Sequence, residues 1–238
     1  MAKTALQKKA PPADDVEFVR DVAQRSPEWY ELRRGLPTAS RFATIMADGK
    51  DGGESVTRAK YMRILAGEII TGQVSEETYR NEAMERGNAI EPEARAYYER
   101  TRFVDLEQIG FVRRTVRVPI GTDYVVGASP DGAVVSSTPN GSLKRLLEIK
   151  SSRPDLIIEV AQRGAAGFPP AHRAQCQGNL WVTGYDEIEL MLYCHEKMPA
   201  PSFVLDRDEP YIARIKAETE RFVYELNQLV KRIREMAR

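Results

Sequence analysis

Apolar positions follow a helical period through the first hundred residues and a strand period through the middle, then return to the helical period at the end. Ser26-Pro27-Glu28 combines a capping hydroxyl, a proline for the first turn and an acid favoured by the helix dipole. It predicts a short helix whose apolar side holds Trp29, Tyr30 and Leu32. Thr38 to Met46 reads as a second helix, and Asp48 to Glu54 as a glycine-rich loop. Ser55 to Thr71 reads as an amphipathic helix carrying Tyr61, Ile64, Leu65 and Ile69. Tyr79 to Thr101 is helical again, with Pro92 expected to kink or restart it. Short β-branched runs follow at Gln108 to Val118, Tyr124 to Ala128, Gly132 to Ser136 and Leu143 to Ile149. Asn140-Gly141 signals a tight hairpin between the last two. His172 to Thr183 predicts a helix, Glu187 to Cys194 and Ser202 to Leu205 strands. From Pro210 onward, Ile215, Phe222, Leu226, Leu229 and Ile233 mark one stripe of a long helix.

This order predicts an α/β (α+β) fold: a central mixed, largely antiparallel sheet flanked by helices, beneath an N-terminal helical layer. Residues 1–25 read as a partly ordered tail and 26–238 as a single domain, without internal repeats.

Composition narrows the class without choosing a function. Apolar content of 42% and charged content of 29% suit a water-soluble enzyme. The chain shows no membrane-length apolar run and no signal peptide, so a cytoplasmic setting is expected. Two cysteines, Cys176 and Cys194, are too few for a four-thiolate site. Thirty-five basic residues balance 35 acidic ones, so any nucleic-acid contact must concentrate positive charge locally.

The hairpin offers a geometric test for chemistry. With Asn140-Gly141 as its turn, Asp131 lies opposite Lys150 and Ala133 opposite Glu148. Residues two apart on a strand share a face, as do directly opposed residues. Two acids and a lysine therefore meet on one side of the hairpin, while Leu147 and Ile149 point to the other. A bare D-x16-E-x-K match is more often a solvated ion pair. If enclosed, however, such acids require hydrogen-bonded partners or a metal. Carboxylate oxygens suit Mg2+ or Mn2+, and a neighbouring lysine suits the water or developing charge of phosphodiester hydrolysis.

Further segments accompany that cluster, and its own two strands join them. Trp29-Tyr30-Glu31-Leu32-Arg33-Arg34-Gly35 with Thr38-Ala39-Ser40 resembles the N-terminal motif of the lambda exonuclease family, the YqaJ-like viral recombinases. Gly87-Asn88-Ala89-Ile90-Glu91 resembles that family's helix with a metal-binding glutamate. Ser129-Pro130-Asp131-Gly132 and Leu147-Glu148-Ile149-Lys150 resemble its two active-site strands. Ala174-Gln175-Cys176-Gln177, running into Leu180-Trp181-Val182-Thr183-Gly184, resembles its following helix. The matches span roughly residues 26 to 195 in the family's order.

The resemblance implies a PD-(D/E)xK, restriction-endonuclease-like core and 5′-to-3′ exonuclease action on duplex DNA, leaving a 3′ single-stranded tail for annealing recombination. It implies two Mg2+ ions, replaceable by Mn2+, held by Glu91, Asp131, Glu148 and the Ile149 carbonyl. Lys150 would serve the nucleophilic water, and Gln175 would support the site. Arg33, Ser40 and Ser129 would bind a DNA 5′-phosphate, with Arg34 able to replace Arg33 and Arg153 a further candidate. It also implies a ring-shaped homotrimer, a single-strand annealing protein as partner, and a bacterial or phage setting. Trp29 and Trp181 read more simply as packing residues, His172 and His195 as structural. Lys231, Arg232, Arg234 and Arg238 read as favourable charges at a helix C-terminus. An endonuclease on the same fold, which would cut closed circles, and a non-catalytic DNA-binding scaffold are the alternatives.

Overall fold

The structure, a computed structural model, describes residues 15–49, 53, 55–75, 82–118, 121–138 and 141–237; at 82–89, 135–138 and 141–144 it describes the backbone alone. Strand β1 (Asp15–Val19) precedes helix α1 (Pro27–Arg33), a 3-10 turn (Ala39–Arg41) and the short helix α2 (Phe42–Ile45). Helices α3 (Val56–Thr71) and α4 (Glu82–Arg102) follow. The strands are β2 (Leu106–Glu107), β3 (Phe111–Val116), β4 (Tyr124–Ala128), β5 (Gly132–Thr138) and β6 (Gly141–Ser151). Helix α5 (Pro154–Arg163), α6 (Arg173–Thr183), β7 (Glu187–Tyr193), β8 (Ser202–Asp206) and α7 (Glu209–Met236) follow.

The strands form two hydrogen-bonded sheets where a single one was expected. A three-stranded sheet runs β1-β3-β4 and a five-stranded sheet runs β2-β5-β6-β7-β8. Pairings are antiparallel except β6 with β7, which is parallel and reached through α5 and α6. Strand β1 lies inside the stretch read as a tail, where its half-exposed alternation among charges gives little sequence signal. Helix α5 was not anticipated either, although Pro154 in its first turn and Asp155 beside it are helix-start signals.

Several caps follow the sequence. The Ser26 hydroxyl accepts from the Trp29 N–H, Ser55 from Arg58 and Asp208 from Tyr211, each fixing a helix start. Pro92 does not interrupt α4, which runs from Glu82 to Arg102 although the proline withholds one backbone donor.

The hairpin register is a correction. Gly132 pairs with Leu147, Ala133 with Leu146 and Thr138 with Gly141, so Gly141 belongs to the strand. Pro139 and Asn140 lie outside the described residues. The pairing is displaced by two positions from the expected one, bringing Asp131 level with Glu148 in place of Lys150. An even displacement preserves the face, because side chains alternate with a period of two. The three charged residues therefore still share one side.

Two cores lie on either side of the five-stranded sheet. Ala133, Leu146, Ile188, Leu190 and Leu192 face the larger one, with Phe42, Trp181, Phe222 and Leu226 from the helices. Val134, Leu147, Ile149, Met191 and Tyr193 face the smaller one beneath Ala94 and Tyr98 of α4. Glu148 thus enters the larger, helix-covered side, among the most enclosed surroundings in the protein. Gly178 permits this cover: a Cβ there would stand 2.4 Å from the Phe42 ring, so glycine lets α6 lie close against α2.

Candidate active site

Glu148 projects from β6 beneath α6 and is only 2% exposed. Its burial is tolerated because both oxygens accept hydrogen bonds. Oε1 accepts from Lys150 Nζ at 2.6 Å and from Gln175 Nε2 at 2.5 Å, and Oε2 from Asn179 Nδ2 at 2.8 Å. Gln175 and Asn179 are one turn apart on α6 and so reach the same carboxylate. Gln175 was legible by motif. Asn179 was missed, although its i+4 spacing from Gln175 was the available signal.

Asp131 sits just before β5 and extends the hairpin ladder with its own groups. Its N–H donates to the Leu147 carbonyl at 3.0 Å, and its Oδ2 accepts from the Ile149 N–H at 2.6 Å. Arg95, four residues after Glu91 on α4, donates to the Asp131 carbonyl. Burial pushes the Asp131 carboxyl well above the usual carboxylate range, and the Glu148 and Glu91 charges push it further. Lys150 and the Ile149 amide oppose that rise without cancelling it. For Lys150, burial acts to lower the pKa, but the Glu148 and Asp131 charges outweigh it and hold the ammonium above the ordinary lysine value. Lys150 is therefore a cation in this arrangement.

Glu91 faces the same cleft and accepts an ion pair from Arg25. Arg25 has φ of 71°, a left-handed conformation uncommon for a residue with a side chain. The preceding Gln24 donates to the carbonyls of Ile109 and Pro130, both at 2.9 Å, tying this segment to the strands that carry the site. Neither residue was singled out in the sequence, since a lone Gln-Arg pair before a helix carries no motif signal.

A cluster of donors lies beside the acids. The Arg33 guanidinium is stacked over the Trp29 ring at 4.1 Å. It donates to Ser129 Oγ at 3.2 Å, Thr38 Oγ1 at 3.2 Å and Ser40 Oγ at 3.4 Å. Trp29 Nε1 donates to the Gly110 carbonyl and to Ser129 Oγ, both at 3.0 Å. The tryptophan is thus packed, as expected, and also positions the arginine and serine. Burial lowers the Arg33 pKa to about 10, still cationic at neutral pH.

The two groups line one cleft of about 400 Å³, which contains Arg33, Ser40, Ser129, Glu91, Asp131, Glu148, Ile149, Lys150 and Gln175. Arg34 and Arg153 are not part of it. Arg34 follows α1 as its C-cap, outside the helical conformation, and bonds to Glu31 and the Gly72 carbonyl. Arg153 pairs with Asp155 on the surface at 2.8 Å. Lys231, Arg232 and Arg234 are likewise absent from the described cleft lining.

Three acidic side chains facing one cleft, one of them pushed toward its protonated form by burial and by the others, are a donor set that a divalent cation fits. Among the described residues no three acids, histidines or cysteines already form a metal-holding group. Arg25 engages Glu91, while Lys150, Gln175 and Asn179 engage Glu148. Nearby Cys176 is pushed up to about 12, chiefly by burial, and stays a protonated thiol. Burial, with Lys150 adding to it, lowers His172 to about 4 and leaves it neutral.

The family model of the YqaJ-like viral recombinase domain matches residues 28–186. The crystal structure of LHK-Exo, an alkaline exonuclease from Laribacter hongkongensis, is similar, with 28% identity and a TM-score of 0.70. The match covers 89% of this chain and 98% of that one. The structure of LHK-Exo in complex with dAMP gives the same values. A phage-related exonuclease from Haemophilus somnus 129PT shares the fold at 16% identity and a TM-score of 0.57, covering 86% of this chain and 99% of its own. No curated protein sequence matches the chain. Among the described residues, no helix is long and apolar enough to cross a membrane.

Proposed function

This chain belongs to the YqaJ-like viral recombinase domain family, and on that premise we propose that it is a Mg2+-dependent exonuclease degrading one strand of duplex DNA from its 5′ end. The observation that carries the reading is a single cleft holding both the acid–lysine cluster and the Arg33–Ser40–Ser129 donors. The similar LHK-Exo, an exonuclease solved with dAMP, supports a nucleotide substrate for such a cleft.

Asp131, Glu148 and Glu91 would hold the Mg2+ ions, with the Ile149 carbonyl as a further ligand. Bound there, Mg2+ would stabilise charge on the phosphoryl group and make water a stronger nucleophile. Lys150 donates its N–H groups toward the reacting water and the developing negative charge. Gln175 and Asn179 hold Glu148 in place, so its carboxylate does not rotate away when a phosphate approaches. Arg33, stacked and fixed by Trp29, presents a guanidinium fork to the terminal 5′-phosphate alongside Ser40 and Ser129. Gripping the end fixes which phosphodiester meets the acids, and thereby the size of the product. The ring-shaped trimer, the annealing partner and the 3′-tailed recombination product belong to the same proposal by family likeness.

The deciding experiment compares 5′-phosphorylated linear duplex, labelled at either end, with closed circular DNA in Mg2+ and in chelator. Loss of the 5′ label from linear DNA alone, only with Mg2+, is expected. Cutting of the circle would identify an endonuclease instead. Binding without cleavage in Mg2+ or Mn2+ would identify a scaffold. Arg33→Ala is expected to reduce the preference for 5′-phosphorylated over 5′-hydroxyl ends by roughly tenfold or more, given charge-assisted hydrogen bonds of about 1.5–3 kcal/mol. Equal loss on both ends would remove Arg33 from phosphate recognition.

Arg25 competes with a cation for Glu91. Arg25→Gly is expected to tighten Mn2+ binding about fivefold in calorimetry, the scale of a partly exposed ion pair of about 1 kcal/mol. Its effect on stability should be small, since glycine relieves the left-handed backbone while the ion pair is lost. Unchanged or weaker Mn2+ binding would show that the pair does not oppose the cation.

A further inference from the structure

A second cleft of about 380 Å³ adjoins the catalytic one and is nearly the same size. The two share Arg33, Ser40 and Arg41 as a common wall, while Arg34, Thr57 and Lys60 line only the second. Its described lining carries four cations, Arg33, Arg34, Arg41 and Lys60, against one carboxylate, Glu68, with Glu31 paired to Arg34 from outside the lining. The Glu68 carboxylate is buried and accepts from two backbone groups, the Gly35 N–H at 2.7 Å and the Ser75 N–H at 3.0 Å. In a chain of zero net charge, this concentration of positive charge is local and marks an anion site. Arg41 is held over the Tyr61 ring at 4.7 Å, which fixes a guanidinium at the junction of the clefts.

We propose that this cleft is a second nucleotide subsite, taking a nucleoside 5′-phosphate with its phosphate against Arg34, Arg41 and Lys60. The inference rests on the nuclease reading and extends it past the 5′-phosphate contact. The nucleotide can come from two sources of the same chemistry. One is an unpaired nucleotide preceding the strand end that would otherwise meet Arg33, and the other is a mononucleotide already released.

Lys60→Glu tests the subsite, with Thr57→Glu as a second variant on the same exposed helix turn. Calorimetric titration with dAMP in chelator requires no hydrolysis. Two dAMP per wild-type chain and one per variant chain are expected; one per chain in both would overturn the subsite. Digestion of blunt 5′-phosphorylated duplex is then compared with the same duplex bearing one unpaired 5′ nucleotide. A loss of about fivefold or more in the variants on the extended duplex alone, with a dinucleotide as the wild-type first product, assigns the subsite to the strand. Unchanged rates on both duplexes, with inhibition by added dAMP relieved, assign it to released product. Neither effect, in either variant, overturns the proposal. Failure of the wild type to digest blunt duplex while binding two dAMP would overturn the nuclease reading and leave the subsite standing.

Discussion

Lys150→Ala is expected to lower hydrolysis of linear duplex DNA by about 10³-fold, with DNA affinity little changed. The lysine stands 2.6 Å from Glu148 and is held as a cation by Glu148 and Asp131. It cannot accept a proton in that state, so its contribution is to donate hydrogen bonds and to place positive charge beside the reacting phosphoryl group. Alanine removes that charge and leaves Glu148 with only the two amides as side-chain partners. Some loss of stability in chelator should accompany the loss of rate. Lys150→Arg separates the two effects, since it keeps the cation for Glu148 while changing its reach and geometry. Single-turnover rates, DNA affinity and melting temperature distinguish these contributions. A fully active Lys150→Ala enzyme would exclude the assigned role.

Asp131→Asn is expected to be at least as damaging to activity, about 10³-fold or more, and yet to stabilise the protein in chelator. The native carboxyl titrates well above the usual value of about 3.9. Below the unfolded pKa the group is protonated in both states and costs nothing. As pH rises through that value, the unfolded chain releases its proton first, so stability is progressively lost until the folded pKa is passed. The amide should abolish that part of the pH dependence, raising the melting temperature most near neutral pH. Divalent cation should stabilise the wild type and do so much less in the variant. A melting curve with the same pH dependence in both proteins would contradict the assigned environment of Asp131.

Much of the site could be read before folding because its geometry depends on periodicity. Glu148 and Lys150 share a face whatever their partner strand does, and a two-residue displacement returns Asp131 to that face. The displacement itself was not legible. Asn140-Gly141 is a local preference, whereas the observed register aligns Gly132 with Leu147 and puts Asp131 where its carboxylate can take the Ile149 amide. Strand β1 was hidden for a similar reason, because an edge strand that is half exposed need not alternate cleanly. Asn179 and Arg95 lay one helical turn from residues already singled out, so that spacing could have found both. Arg25 could not be found this way: its contact with Glu91 spans 66 positions and depends on one left-handed residue.

The two sides of the cleft differ in how the backbone is held. Strand β6 pairs with β7 along Arg145–Ser151 and with β5 as far as Leu147, in the interior of the five-stranded sheet, and beyond Leu147 the Ile149 N–H is taken by the Asp131 carboxylate. Amide hydrogens around Glu148 and Lys150 should therefore exchange with solvent only when the whole domain opens. The Gln24–Arg25 segment instead follows β1, an edge strand, and is held mainly by side-chain hydrogen bonds and one ion pair. Its amides should exchange through local openings that leave the catalytic strand intact. Warming would then loosen the hold on Glu91 well before it disturbed Glu148, giving this cleft one wall that yields and one that does not.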